Sequence, residues 1–382
     1  MDRMWKSGAA GSPPPLTNAS AGYASPGNPG TGTPATEPGS HWYHMVTEEL
    51  LSLVLAAGLT LDKTSVVQLL AAANLLYDSQ GIDPGGRLTL TTAVPVTTAD
   101  VTAATTIRYT PFRHDRIKLY DGTRWKWYTF TELSQTLADT TKSPAASAAS
   151  KNYDMFVWDD SGTIRCTRGP LWDTGGGSNT ARGTGAGSTE LEFFGGRWVN
   201  KIAITNGPAA RRGLYVGSIG TTAANDVEDS REKRLLWQMY NAMPRPVRRV
   251  DTTNGWTYTG VFRQANASAA NQIEILSGLL RDQVKVTVIG SAATSVVSLS
   301  DILVGVGIDS TTTMHTDTIR GRAEGSNAPG ASVAVQAYWS GYPGLGRHTV
   351  VWLERAGAGT NSWAGDLGTA DFQTGMIGEV MA

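Results

Sequence analysis

Two histidines three positions apart, His41 and His44, stand at the entrance to the first apolar helical run, a spacing that can turn both imidazoles toward one metal ion. No third histidine lies beside them, so a full ligand set would require copies of the chain meeting on a symmetry axis. Glycoside chemistry needs paired carboxylates, and two acid clusters offer them: Asp159 with Asp160, and Asp226 with Glu228 and Asp229. The first runs into Ser-Gly-Thr and reads as a turn, and the second reads as the capped, acidic first turn of a helix. The glycine run TGGGSNTARGTGAGST lacks the lysine and the following helix of a phosphate-binding loop. No GxSxG elbow, HExxH pair or CxxC pair occurs, so neither an enzyme nor a bound metal or cofactor is expected.

Aromatic residues carry the remaining chemistry. Of the 12 tryptophans, Trp125, Trp127, Trp198 and Trp237 fall inside strand or helix patterns and read as core or subunit-interface anchors. Trp339, Tyr342 and Trp363 lie near glycine-rich turns of the last third, where a ring face can be offered to a sugar, and form the candidate receptor contact. The basic pairs and triplets Arg211 with Arg212, and Arg245 with Arg248 and Arg249, have no interleaved aromatic platform. With 32 basic against 33 acidic residues and a net charge of −1, they predict ion pairs between subunits, and no nucleic-acid partner. Cys166, the sole cysteine, excludes an intrachain disulfide framework and reads as a small buried hydrophobe.

The elements that position these residues change character along the chain. Residues 7–40 are dominated by Gly, Pro, Ala, Ser and Thr, too poor in apolar side chains to fold alone, and predict an extended arm (1–41) that takes its shape from neighbouring subunits. Trp5, Leu16, Tyr23 and Pro34 are its expected docking grips. Val46, Leu50, Leu53, Val54 and Ala57 then recur at helical spacing up to Gly58, and a second helix is expected from Asp62 with Val66, Leu69, Leu70 and Ala73 on one face, giving an αα-hairpin over 42–81. From Arg87 the pattern turns to β-branched and aromatic segments, a central β-rich mixed domain (82–250) with one helix from Asn225 or Asp226 to Pro244 and a basic hinge, PRPVRR. Residues 251–382 predict a jelly-roll-like β-sandwich. The longest apolar run, Leu50 to Leu59, is about half of the ~20 residues that span a bilayer, so no membrane partner is expected.

The stretch NPGTGTPATEPGSHWYHMVTEELLSLVLAAGLTLDKTSVVQLLAA carries, in order, Gly32, Pro34, Ala35 and Thr36, then Glu48-Glu49-Leu50, Ala56 to Thr60, and Gln68 to Leu70. In these elements it resembles the N-terminal segment of tailed-bacteriophage tail fibres and related virion proteins. YDGTRW, TFTELS and Tyr215 to Arg249 resemble a middle module of phage structural proteins. The resemblance implies a virion protein assembled in the bacterial host cytoplasm, a homotrimer whose N-terminal arm docks on tail, portal-adaptor or capsid proteins while a distal β domain meets host glycan or protein. A purely architectural collar or decoration protein and a glycan-degrading tailspike are the alternatives, although the repetitive shaft of long fibres is missing.

Overall fold

The computed structural model describes residues 11–14, 23–78, 83–172, 179–295, 301–324, 331–369 and 371–382. The chain divides into two compact units, Met1–Ile82 and Asp83–Ala382. It is mainly β, with a helical hairpin at its N-terminal end.

In the first unit, Asn28 caps a single 3-10 turn at Pro29–Thr31. Helix α1 (Ser40–Ala56) buries Leu51 and Val54 and ends before Gly58, whose φ of +72° suits the left-handed position that closes a helix. Helix α2 (Gln68–Asp78) starts six residues later than expected. Asp62 spends its carboxylate on the amide and hydroxyl of Thr64 in a turn, and Val66 is left almost wholly in solvent. No helix among the described residues is long and apolar enough to cross a membrane.

The second unit opens with β1 (Gly86–Thr89), β2 (Val101–Ala104), β3 (Thr106–Pro111), β4 (Arg116–Tyr120), β5 (Trp125–Thr129) and β6 (Leu133–Thr136). Strands β7 (Asn152–Asp160), β8 (Thr163–Leu171), β9 (Leu191–Phe194), β10 (Arg197–Asn200) and β11 (Leu214–Ala223) follow. Tight turns set their registers. Ser161 and Gly162 both have positive φ (54° and 96°), the mirror-image turn that matches strand twist, so Asp160 faces Thr163 and the β7–β8 ladder begins at once. One core gathers Leu88, Tyr109, Ile117, Met155, Val157 and Val216 from these strands.

The expected helix after Asn225 is absent. Instead β12 (Asp226–Asp229), β13 (Lys233–Arg234) and β14 (Leu236–Gln238) form there, and Asn225 takes a φ of +60° in the turn that reverses β11 into β12. Leu235, Leu236 and Trp237 are all buried, which one face of a surface helix would not allow. The supposed hinge is β15 (Pro244–Val250), an edge strand, where prolines that cannot donate to a ladder are tolerated.

Strands β16 (Gly255–Thr257), β17 (Gly260–Gln264), β18 (Gln272–Ser277), β19 (Val284–Thr294), β20 (Asp301–Ile308) and β21 (Ile319–Arg320) come next. The chain closes with β22 (Ala323–Glu324), β23 (Ser332–Gly341), β24 (Gly346–Ala356), β25 (Asn361–Ala364) and β26 (Gly375–Met381). Successive strands from β18 to β24 alternate between two sheets, one ordered β18-β24-β20-β22 and the other β19-β23-β21, with β26 and β15 added beside β19. The pairs β18 with β24, β19 with β23, and β20 with β22 are nested, as in a hairpin rolled around a core, which is the jelly-roll topology. Alternation fills that core: Val284, Val286 and Val288 on β19 face inward toward Val304 and Val306 of β20 and Trp352 of β24. Parallel pairing of β13 with β18 joins the jelly roll to the central strands.

Candidate functional site

Glu354 is fully buried on β24, and its carboxylate accepts from Trp256 Nε1 at 2.7 Å, Arg263 Nε at 2.9 Å and the Asn266 amide at 3.1 Å. Burial raises this carboxyl above its usual range against the opposing pull of those donors. The result is a fixed Trp256, set edge-on to Trp352 with ring centroids 6.1 Å apart. β16 then pairs with β25 so that Trp256 lies opposite Trp363 and Thr257 opposite Ser362. Because neighbouring residues of a strand face opposite ways, the two indoles line the core while Thr257 and Ser362 face out. Gly255 permits the close pairing, since a Cβ there would stand 2.8 Å from the Trp363 carbonyl oxygen.

Outside this pair lies an open groove of about 660 Å³. Hydroxyl-bearing Thr257, Ser291, Ser332 and Ser362 line it, with Leu367 and Phe372 also at its edge. Leu367 is more than half exposed. On the same outer sheet face, register sets Ile377, Thr287, Tyr338 and Ile319 in one row across β26, β19, β23 and β21. Ile377, Tyr338 and Ile319 are exposed, so the row is an apolar strip on the outer face. Such a surface can hold a hydroxylated ligand by many small hydrogen bonds against an apolar strip.

The expected contact trio separates. Trp339 and Trp363 are 1% and 2% exposed, and their indole N–H groups donate to His315 Nδ1 (3.1 Å) and the Tyr258 carbonyl (3.2 Å). Both are core residues, a correction whose cause is the inward phase of β23 and β25. Alanine at Trp339 removes about 3–5 kcal/mol of packing. Tyr342 is 65% exposed and remains available to a ligand. Thr257 and Ser362 are each one residue out of phase with a tryptophan, and Ser291 and Ser332 carry no sequence signature.

The other candidates resolve into structural roles. Asp160 pairs with Lys142 and Arg165, each at 2.6 Å, and Asp159 accepts from Tyr128 Oη and the Gly162 amide. Asp229 is buried between Arg234 (2.9 Å) and Arg245 (3.5 Å), and Glu228 holds Ser230 and Lys233. Residues 174–178 of the glycine run lie outside the described residues, and Arg182 within the same run is locked onto Asp154. Cys166 is buried, which pushes its thiol up to about 12. His44 lies 3.9 Å from Glu48, and among the described residues no three metal-binding side chains cluster. Of the arm's grips, Tyr23 and Pro34 are exposed, and Trp5 and Leu16 lie outside the described residues.

No family model matches the chain, and no curated protein matches it. Among solved structures it is similar to the insecticidal delta-endotoxin Cry8Ea1 from Bacillus thuringiensis, at 10% identity and a TM-score of 0.21, covering 79% of this chain and 54% of that one. The chain thus spans about half of that toxin's length, a likeness too distant to bear on fold or function.

Proposed function

We propose that this chain is a non-enzymatic attachment protein of a tailed-phage particle, a homotrimer that joins the virion through residues 1–41 and meets the host surface through its jelly roll. The observation that carries this reading is the hydroxyl-lined groove on an outer sheet face of that jelly roll that also exposes Ile377, Tyr338 and Ile319. The resemblance of residues 28–72 and 215–249 to phage virion proteins supports the particle assignment. The exposed Tyr23 and Pro34, on an arm none of whose described residues is buried, support the docking role.

Two variants in the phage test the two ends separately. Deleting residues 1–40 should leave a folded oligomer that is missing from purified particles, and normal incorporation overturns the docking role. Ser362→Trp should fill the groove and reduce adsorption of intact particles to host cells, and unchanged adsorption kinetics overturn the groove's part in attachment.

A further inference from the structure

A second opening, of about 510 Å³, lies where the β9–β10 hairpin, the segment after β14 and the loop between β18 and β19 meet. Its first wall follows from a two-residue turn. Gly195 and Gly196 both hold positive φ (57° and 81°), and this turn fixes a register in which Phe193 lies directly opposite Trp198. The two rings stand edge to face with centroids 5.4 Å apart, and Phe193 is 61% exposed. Its second wall is set by buried Trp237, whose Nε1 donates to Asp282 Oδ2 at 2.7 Å. Arg281 lies 4.7 Å over the same indole and donates through Nη2 to the Gln238 carbonyl at 2.9 Å. Carboxylate and guanidinium are therefore fixed before any ligand arrives.

Arg197, 5.9 Å from the Tyr240 ring, and Asp83 complete the lining. Burial raises the Tyr240 phenol above its usual range. Asp83 and Asp282 cancel the charge of Arg197 and Arg281, so the cleft offers no net attraction to an ion. It offers apolar ring surface on one side and directional donors and acceptors on the other, the complement of a sugar ring with its C–H face and hydroxyl edge. We propose that this cleft is a binding site for a neutral saccharide. The assignment stands apart from the jelly-roll groove and does not depend on it.

The test uses the full-length protein and saturation-transfer NMR with four neutral probes: maltohexaose, cellohexaose, mannohexaose and chitohexaose. Polygalacturonate serves as the anionic comparator. At least one neutral hexasaccharide should bind, Trp198→Ala should weaken it about tenfold or more, and Ser362→Trp should leave it unchanged. Phe193→Ala, at an exposed ring, gives the same readout should the tryptophan variant lower the thermal midpoint. Binding of none of the four, binding of polygalacturonate alone, or full affinity in both ring variants overturns the proposal. Loss of binding in Ser362→Trp overturns it as well, because the saccharide would then occupy the groove.

Discussion

Asp154 shows what a single buried charge does in this molecule. Its two oxygens accept from Arg182 Nε (2.5 Å) and Nη2 (3.0 Å), Trp172 Nε1 (3.1 Å), Ser218 Oγ (2.6 Å) and Thr189 Oγ1 (3.1 Å), and Arg182 is also stacked 4.2 Å from the Trp172 ring. A buried ion pair with every lone pair occupied holds a loop in place, but removal of one partner strands the other charge. Asp154→Ala should therefore cost about 3–5 kcal/mol, read as a fall in the urea midpoint. Nothing in the sequence marks this pair, since the partners are 28 positions apart and Arg182 sits in a glycine-rich stretch that reads as a surface loop. A second buried acid sets a pH limit. Burial alone would raise the Asp251 carboxyl, but Asn271 Nδ2 (2.5 Å), the Thr253 amide (2.9 Å) and Asn266 Nδ2 (3.1 Å) outweigh it and hold the group below the usual carboxylate range. A depressed folded value means that its contribution is complete above the unfolded value, about pH 4, and is lost as pH falls through the folded one. Between pH 5 and pH 2 the urea midpoint of Asp251→Asn should fall less steeply than that of the parent, and parallel slopes would remove Asp251 from this role.

At the scale of elements, local signals held where one force dominated and failed where two competed. Gly58 and the apolar spacing of α1 marked a helix end because backbone handedness and burial agree there. The run from Asp226 to Met239 is rich in helix-forming Glu, Lys, Arg and Leu, yet it becomes three short strands. Arg234 is drawn into a buried pairing with Asp229 and the Pro246 carbonyl, and Leu235 to Trp237 fill two cores. Tertiary burial of these side chains exceeds the few tenths of a kcal/mol per residue, roughly, by which helix propensities differ. Turn chemistry is where a sequence-level rule acts most directly, and the β9–β10 hairpin is the place to test it. Gly196→Ala meets open space, so its cost is the left-handed backbone alone, about 1–2 kcal/mol. Gly195→Ala carries the same backbone cost and also drives a Cβ to 2.4 Å from Trp125 Nε1, so its thermal midpoint should fall further than that of Gly196→Ala. Equal midpoints would show that the hairpin shifts freely and does not set the position of Trp198.

Across the whole chain, apolar burial is distributed very unequally. Residues 83–382 carry interlocking clusters with Trp237, Trp339 and Trp352 almost wholly buried. In the first unit, among the described residues, only Leu51, Val54 and Ala72 are buried apolar residues, while Trp42, Tyr43, Leu55, Val66 and Leu70 remain exposed. Fixing the backbone costs about 1–2 kcal/mol per residue, and burying one large side chain returns about 1.5–3 kcal/mol, so three buried residues cannot offset the ordering of helices of 17 and 11 residues. Short isolated helices are marginal for the same reason. A fragment of residues 83–382 should accordingly give a single sharp thermal transition by circular dichroism. A fragment of residues 1–82 at micromolar concentration should give weak helicity that melts broadly. A sharp, concentration-independent transition from 1–82 would mean that the hairpin closes its own core. It would then need no partner surface, and the docking role proposed for this end of the chain would lose its physical basis.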